Sequence, residues 1–264
     1  MDFPSYRSLT FRRDGRVLHV TLNRPDTLNA FVNEMHDEFQ NFTARVGDDD
    51  ETDVVVLSGA GRAFSAGGDF DEIQRGIDDP ARFYRTIPHM KRIVNNLLDV
   101  PQPVIAKING PAMGLGATIA LLCDITFAAN HAKIGDPHVK VGYVAGDGGA
   151  AIWPHLVGYA RAKQFLFTGD PLTGEEAAKI GLVNFAYPAE ELDSAVEAFA
   201  QKLVNTPRFA LRWTKATVNI GLKQAAAAVL DAGAAYEALS SRTRDHAEAV
   251  AAARAKREPS FTGD

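Results

Sequence analysis

The chain has 264 residues, of which 46% are hydrophobic and 23% charged, an ordinary composition for a protein with one large core. Its single cysteine excludes a disulfide framework, and its net charge of −5 argues against a nucleic-acid-binding protein. No apolar run reaches the roughly 18 residues of a membrane span, and the first residues lack a secretion-signal pattern. These features predict a cytoplasmic protein that binds neither nucleic acid nor membranes.

The first half of the chain alternates short apolar runs with glycine-bearing turns. The runs 9–11 and 17–22 flank a tight turn and predict a β-hairpin. Buried strands are predicted at 54–57, 104–108 and 125–129. Helices are predicted at 33–46, 88–99, 114–122 and 148–156. Because the order strand, glycine turn, helix occurs three times, we expect a topological repeat.

The second half of the chain is dominated by helical patterns. Thr173 and Glu176 have the spacing of a capping box at a helix start. Four helices are predicted beyond it, at 189–204, 207–221, 223–239 and 242–257. We therefore expect an α/β core over residues 1–190, followed by a helical region over 191–264. Such a helical region is typical of a packing or oligomerisation element.

Three glycine-rich turns, at 59–69, 109–116 and 142–149, each follow an apolar strand. Glycine lets a ligand approach the backbone closely, and a turn that enters a helix presents unpaired N–H groups. Two such turns that face each other could hold an oxyanion, whereas the simpler interpretation is three tight turns. A dinucleotide-binding motif is excluded by Ile119, and no Gly-Lys-Ser/Thr of a P-loop occurs.

Four collinear segments, 23–30, 63–69, 103–124 and 168–183, resemble the enoyl-CoA hydratase/isomerase, or crotonase, superfamily. The resemblance implies an α/β fold, a crotonase-like spiral of ββα repeats with a helical C-terminal trimerisation region. It also implies homotrimers or homohexamers and acyl-CoA thioester substrates. Coenzyme A would then be part of the substrate, and no separate cofactor is expected.

The resemblance also implies which backbone groups bind the substrate. The two amides that hold the thioester oxygen correspond to Gly68 and Leu115. Contacts to the coenzyme A portion correspond to Leu28, Ala30 and Ala66, together with Gly68. These contacts are backbone hydrogen bonds, so the side-chain identity at those positions matters little.

The chain departs from the family where the chemistry is expected. Family hydratases hold a water with two glutamates, and the matching positions are Thr118 and His138. We therefore predict His138 as the general base, because histidine titrates near neutrality, with Asp147 as its orienting partner. The local pattern around these two residues is similar to 6-oxocamphor hydrolase, a crotonase homologue that cleaves carbon–carbon bonds in β-diketones.

The remaining expectations concern the walls of the pocket and the reaction. Three side chains are predicted to line the pocket: Thr118, Phe70 and Tyr143. Asp69 is predicted to begin the helix after the first glycine turn. No residues have the spacing of a metal site.

Three functions stay open. The first is an acyl-CoA enzyme that forms an enolate, of the hydratase/isomerase type, with His138 as base. The second is a β-diketone hydrolase independent of coenzyme A that uses His138 and Asp147, and the third is a non-catalytic acyl-CoA-binding homologue.

Overall fold

The computed structural model describes residues 6–264, which form nine strands and nine helices. The strands are β1 (Leu9–Asp14), β2 (Val17–Leu22), β3 (Val54–Gly59), β4 (Val104–Ile108), β5 (Ala112–Met113), β6 (Ile125–Ala129), β7 (Lys133–Gly135), β8 (Leu172–Thr173) and β9 (Phe185–Tyr187). The helices are α1 (Asn33–Arg45), α2 (Phe70–Asp78), α3 (Pro80–Asp99), α4 (Leu115–Leu122), α5 (Gly149–Thr168), α6 (Gly174–Lys179), α7 (Ala189–Val204), α8 (Arg208–Ser240) and α9 (Arg244–Ala255).

The strands form two sheets that are built up together along the chain. The larger sheet has the order β1-β2-β3-β4-β6-β9, with an antiparallel β1–β2 hairpin and parallel pairing elsewhere. The smaller sheet has the order β5-β7-β8. Strands β4 and β6 of the larger sheet are each followed by a short strand of the smaller sheet and then by a helix. The predicted spiral of ββα repeats is therefore confirmed.

The core lies between the larger sheet and the helices that cover it. The first five residues of β3 are buried, which explains why its sequence is a continuous apolar run. Helix α4 is enclosed on every side, because each of its residues from Leu115 to Leu122 is buried. The N-terminus of α4, and with it the Leu115 amide, is therefore held deep inside the molecule.

The hairpin and the three predicted strands are confirmed, whereas several helix ends differ from the prediction. Helix α3 begins at Pro80 because the Asp79 side chain accepts a hydrogen bond from the Ala81 N–H, and Pro88 lies inside the helix. The predicted break at Gly221 is wrong, since α8 is continuous from Arg208 to Ser240. The capping box of Thr173 and Glu176 is confirmed at the start of α6.

The helices after residue 189 are packed on the rest of the chain. Helix α7 contacts the larger sheet, and α8 contacts α3 and α5. An ion pair fixes α8, since Lys215 Nζ lies 2.6 Å from Asp124 Oδ2, which also accepts the Val104 N–H at 2.7 Å. The division of the chain into an α/β core over residues 1–190 and a helical region over 191–264 stays a prediction. Over residues 6–264, no helix has both the length and the apolar character needed to cross a membrane.

Candidate active site

The first two glycine turns lie directly against each other. The Met113 N–H donates to the Ser65 carbonyl at 2.9 Å, and Ser65 and Ala112 form a parallel β-bridge. Gly67 has a φ of +89°, and a Cβ there would lie 2.6 Å from the Met113 carbonyl oxygen. The first turn therefore needs glycine at position 67 to lie this close to the second turn.

The contact brings two backbone amides to one cleft. Gly68 and Leu115 both line a cavity of about 170 Å³. Within residues 6–264, neither N–H has a hydrogen-bond acceptor. The Leu115 N–H is free because Leu115 is the first residue of α4, where the backbone amides have no partner within the helix. Two free N–H groups on adjacent turns are suited to bind an oxygen that becomes negatively charged.

Asn29 joins the loop before α1 to the first glycine turn. Its backbone is left-handed, with a φ of +56°. Its side-chain amide donates to the carbonyls of Ala60 and Ala63, each at 2.9 Å, and its own carbonyl accepts the Ser65 hydroxyl at 2.8 Å. These bonds fix the turn that carries Gly68. Sequence analysis placed Asn29 only within the stretch 28–30, which the resemblance assigns to coenzyme A contacts, and did not predict these bonds.

The residues predicted to contact coenzyme A fall into two groups. Ala66 and Gly68 line the cleft. Leu28 and Ala30 do not, and their carbonyls already accept hydrogen bonds, from the Ala66 N–H at 2.9 Å and from the Arg24 guanidinium respectively. The structure therefore brings only two of the four predicted residues to the cleft.

His138 lies in the cleft wall between two buried carboxylates. It begins a 3-10 turn, His138–Val141, and its ring packs 3.4 Å from where a Cβ of Gly114 would lie. Its Nδ1 is hydrogen-bonded to Asp136, and its Nε2 is 3.3 Å from Asp147 Oδ2. Burial lowers the pKa of His138, but Asp136 and Asp147 outweigh this effect and raise it well above 6.5.

This charge state bears on the predicted role of His138. The raised pKa favours the form of the ring that carries a proton on both nitrogens, and that form has no lone pair with which to accept another. His138 as the general base stays a prediction. A protonated ring would instead hold a neighbouring carboxylate in its ionised form.

Asp147 is that carboxylate, and it faces the cleft. Burial raises its pKa, but the adjoining His138 outweighs this effect, so the pKa is lowered overall. Thr118 supports it from behind, with the hydroxyl 3.3 Å from Asp147 Oδ1. The expectation that Thr118 lines the pocket is not met, because its side chain is fully buried behind Asp147 and is not part of the cleft wall.

Asp136 is a site residue that sequence analysis left without a role. It is 1% exposed, and a Cβ on Gly149 would lie only 2.0 Å from its Oδ2. The only sequence signal was its position two residues before His138. Ligand atoms of Asp136, His138 and Asp147 lie within 4.8 Å of one another, as a metal site would need. Both ring nitrogens are instead occupied by the two carboxylates, which makes the group a hydrogen-bonded chain.

Phe70 and Tyr143 both lie on the cleft wall. Phe70 is at the mouth, directly after Asp69, whose side chain caps α2 by accepting the Asp71 N–H at 2.9 Å. Tyr143 lies deeper, with its ring stacked on His246 at a centroid distance of 4.1 Å. Burial raises the pKa of the Tyr143 hydroxyl, so it remains protonated and can donate a hydrogen bond.

Two further residues of the cleft were missed by sequence analysis. His36 of α1 packs against Phe31, with 5.3 Å between the two ring centroids. Burial lowers the pKa of His36 to about 4, so its ring is neutral at pH 7. Glu237 of α8 is 2% exposed, and burial raises its pKa to about 8. No local sequence signal marks either residue, because each reaches the cleft only through the packing of its helix.

Comparisons with known proteins agree over nearly the whole chain. Residues 12–264 match the enoyl-CoA hydratase/isomerase family. The chain is 35% identical to a 1,2-epoxyphenylacetyl-CoA isomerase of Escherichia coli over 94% of this chain and 95% of that one. It is 31% identical to a crotonyl-CoA hydratase of Syntrophomonas wolfei over 97% and 98%. A crystal structure of an enoyl-CoA hydratase/isomerase from Mycobacterium paratuberculosis superimposes with a TM-score of 0.90 at 35% identity, over 94% of this chain and 99% of that one.

Proposed function

Since the chain belongs to the enoyl-CoA hydratase/isomerase family, which is a family of enzymes, we propose that it acts on an acyl-CoA thioester by stabilising an enolate. The observation that carries this proposal is the pair of unpaired N–H groups of Gly68 and Leu115 on one cleft wall. The thioester oxygen would accept both hydrogen bonds, and these would strengthen as negative charge develops on it. One such donor typically contributes a factor of about 10²–10³ in rate.

We further propose that Asp147 is the base and that His138 is its cationic partner, the reverse of the roles predicted from sequence. Asp147 is held ionised by His138, which is itself held protonated by Asp136. A carboxylate that faces the cleft can take a proton from water or from the carbon next to the thioester. The Thr118 hydroxyl fixes the orientation of that carboxylate.

The test uses crotonyl-CoA and a series of longer 2-enoyl-CoA esters in D₂O. The wild-type enzyme is expected to hydrate or isomerise at least one ester and to incorporate deuterium at the carbon next to the thioester. Asp147→Asn is expected to lose turnover by about 10²–10⁴-fold while it still binds the ester. The control is Asp170→Asn, which changes an exposed carboxylate paired with Lys140. Wild-type protein that neither converts the esters nor exchanges protons would refute the proposal.

A β-diketone hydrolase is the second candidate, and one observation favours it. Leu28 and Ala30, whose backbones the family resemblance assigns to coenzyme A contacts, have both their N–H and their carbonyl groups hydrogen-bonded within the chain. A cyclic β-diketone without coenzyme A, supplied beside the enoyl-CoA esters, separates the two functions. Cleavage of the diketone alone would favour the hydrolase, and ester binding without any turnover would indicate a non-catalytic homologue.

We propose that the enzyme assembles as a homotrimer or homohexamer. Large apolar side chains that are about two-thirds exposed in the single chain lie on α5 and α8: Tyr159, Phe167, Trp213 and Leu239. A monomer seldom exposes so many large apolar groups on neighbouring helices. Light scattering coupled to size exclusion measures the mass directly. A monomer at micromolar concentration would contradict this proposal.

A further inference from the structure

Glu237 is a second carboxyl group in the cleft, and the reaction proposed above does not use it. It comes from α8, in the helical C-terminal region, and it lines the cleft together with Asp147 and Tyr143. The residue is 2% exposed, and its Oε2 has no hydrogen-bond partner within residues 6–264. A buried polar atom without a partner is costly unless the site is built for a ligand.

Two glycines allow Glu237 to reach this position. A Cβ on Gly146 would lie 2.3 Å from the Gly233 carbonyl oxygen and 2.8 Å from Glu237 Oε2. A Cβ on Gly233 would lie 3.2 Å from Gly146 Cα. The loop before α5 and helix α8 therefore touch through their backbones. The contact places the Glu237 carboxyl next to the segment that carries Asp147.

The groups that face Glu237 set its protonation state. They are His138 from the 3-10 turn, Asp136 and Asp147 from the segments beside it, and the Tyr143 hydroxyl. Burial is the largest effect and raises the pKa of Glu237 to about 8, although the His138 charge opposes it. Glu237 is thus protonated at neutral pH, whereas Asp147 is ionised. Two carboxyl groups in one cleft with opposite protonation are suited to act as acid and base.

We propose that Glu237 is the general acid that protonates the enolate carbon, an inference that rests on the proposed acyl-CoA function. With a 2-enoyl-CoA, the oxygen of water forms a bond to C3, and one water proton passes to the Asp147 carboxylate. The C2–C3 π electrons move onto the thioester, whose oxygen is held by Gly68 and Leu115. The carbonyl then re-forms as C2 takes the proton from the Glu237 O–H.

The cycle closes when the proton on Asp147 returns through solvent to the Glu237 carboxylate. One molecule of water has then been added across the double bond, and both carboxyl groups have regained their starting states. Because the acid comes from α8, the helical region contributes directly to the chemistry as well as to packing.

The first experiment compares Glu237→Gln with the wild-type enzyme in crotonyl-CoA hydration. Glutamine keeps the size and the hydrogen-bonding capacity of the side chain but cannot supply the proton. We expect kcat to fall by about 10²–10⁴-fold with little change in KM or melting temperature. The control is Glu190→Gln, in the exposed first turn of α7. Wild-type kcat in Glu237→Gln would overturn the inference.

The second experiment uses the wild-type protein, so it does not depend on whether a variant folds. Protein labelled with ¹³C at the glutamate carboxyl carbons is titrated by NMR, and one signal is expected to titrate near pH 8, that of Glu237. The kcat of the wild-type enzyme should fall as the pH rises through the same value, because the acid is lost. Titration of every glutamate below pH 6 would refute the inference even if the enzyme converts acyl-CoA esters. Absence of acyl-CoA conversion with a signal titrating near pH 8 would instead refute the proposed function alone.

Discussion

Gly116 is the position where the contact between the two glycine turns can be tested most directly. It lies inside α4 with an ordinary helical backbone, so replacement by alanine should stabilise the helix by about 0.5–1 kcal/mol through backbone propensity. The new Cβ would, however, lie 2.7 Å from both the Cβ and the carbonyl oxygen of Ser65, and ordinary contacts begin near 3.4 Å. The two turns must therefore separate by about 0.7 Å.

This separation would act on both stability and activity. Overpacking of this kind costs about 1–3 kcal/mol, which exceeds the gain in helix propensity, so Gly116→Ala should be less stable than the wild type by about 1–2 kcal/mol. Moving the Leu115 amide relative to Gly68 should lower kcat/KM by about 10²-fold, since misplacement near 1 Å can cost that much. Urea unfolding measures the first effect, and crotonyl-CoA hydration measures the second.

The matched control is Gly221→Ala in α8, where an added Cβ meets nothing within 4 Å. This variant should gain about 0.5–1 kcal/mol in unfolding free energy and keep its activity. If Gly116→Ala behaves like Gly221→Ala in both assays, the close contact of the two turns does not position the amides.

Three further predictions concern single side chains. Asp147→Asn should lower the pKa of His138, because one of its two flanking carboxylates loses its charge; an unchanged imidazole titration by NMR would contradict the pairing. Asp69→Ala should reduce the unfolding free energy by about 1 kcal/mol through loss of the α2 cap, and a change below a few tenths would count against that cap. Lys215→Met should cost about 1.5–3 kcal/mol at neutral pH, because it removes the cation paired with the Asp124 carboxylate, which is 20% exposed. The deficit of Lys215→Met should shrink as the pH falls and Asp124 becomes protonated, and a deficit that does not depend on pH would refute this explanation.

Local sequence patterns were sufficient to predict much of the fold. The strands at 104–108 and 125–129 have the predicted bounds, because an apolar run between glycine or proline signals is a local property. The glycine turns that enter helices are also visible in the sequence, whereas the choice of Gly68 and Leu115 as the oxyanion amides was implied by the family resemblance. Helix ends were less predictable where one residue fits two positions. Pro88 was predicted to begin a helix, but it lies inside α3.

The protonation states and the remote contributors could not be predicted in the same way. His138 is predicted as a base if it is considered alone, but its charge depends on Asp136 and Asp147 on its two sides. Glu237 reaches the cleft through a glycine–glycine contact between segments far apart in sequence. Such a contact depends on how a helix docks, which no local periodicity specifies.

The ion pair between Lys215 and Asp124 has a mechanical consequence for the cleft. Lys215 and Glu237 lie on the same helix, about 33 Å apart along its axis at 1.5 Å per residue. If α8 tilted by about 2° about Lys215, Glu237 would move by about 1 Å, which is enough to disturb proton transfer. Lys215→Met should therefore lower kcat even at temperatures where the protein remains folded. Lys215, although remote from the substrate, would then control the position of the Glu237 carboxyl at the other end of α8.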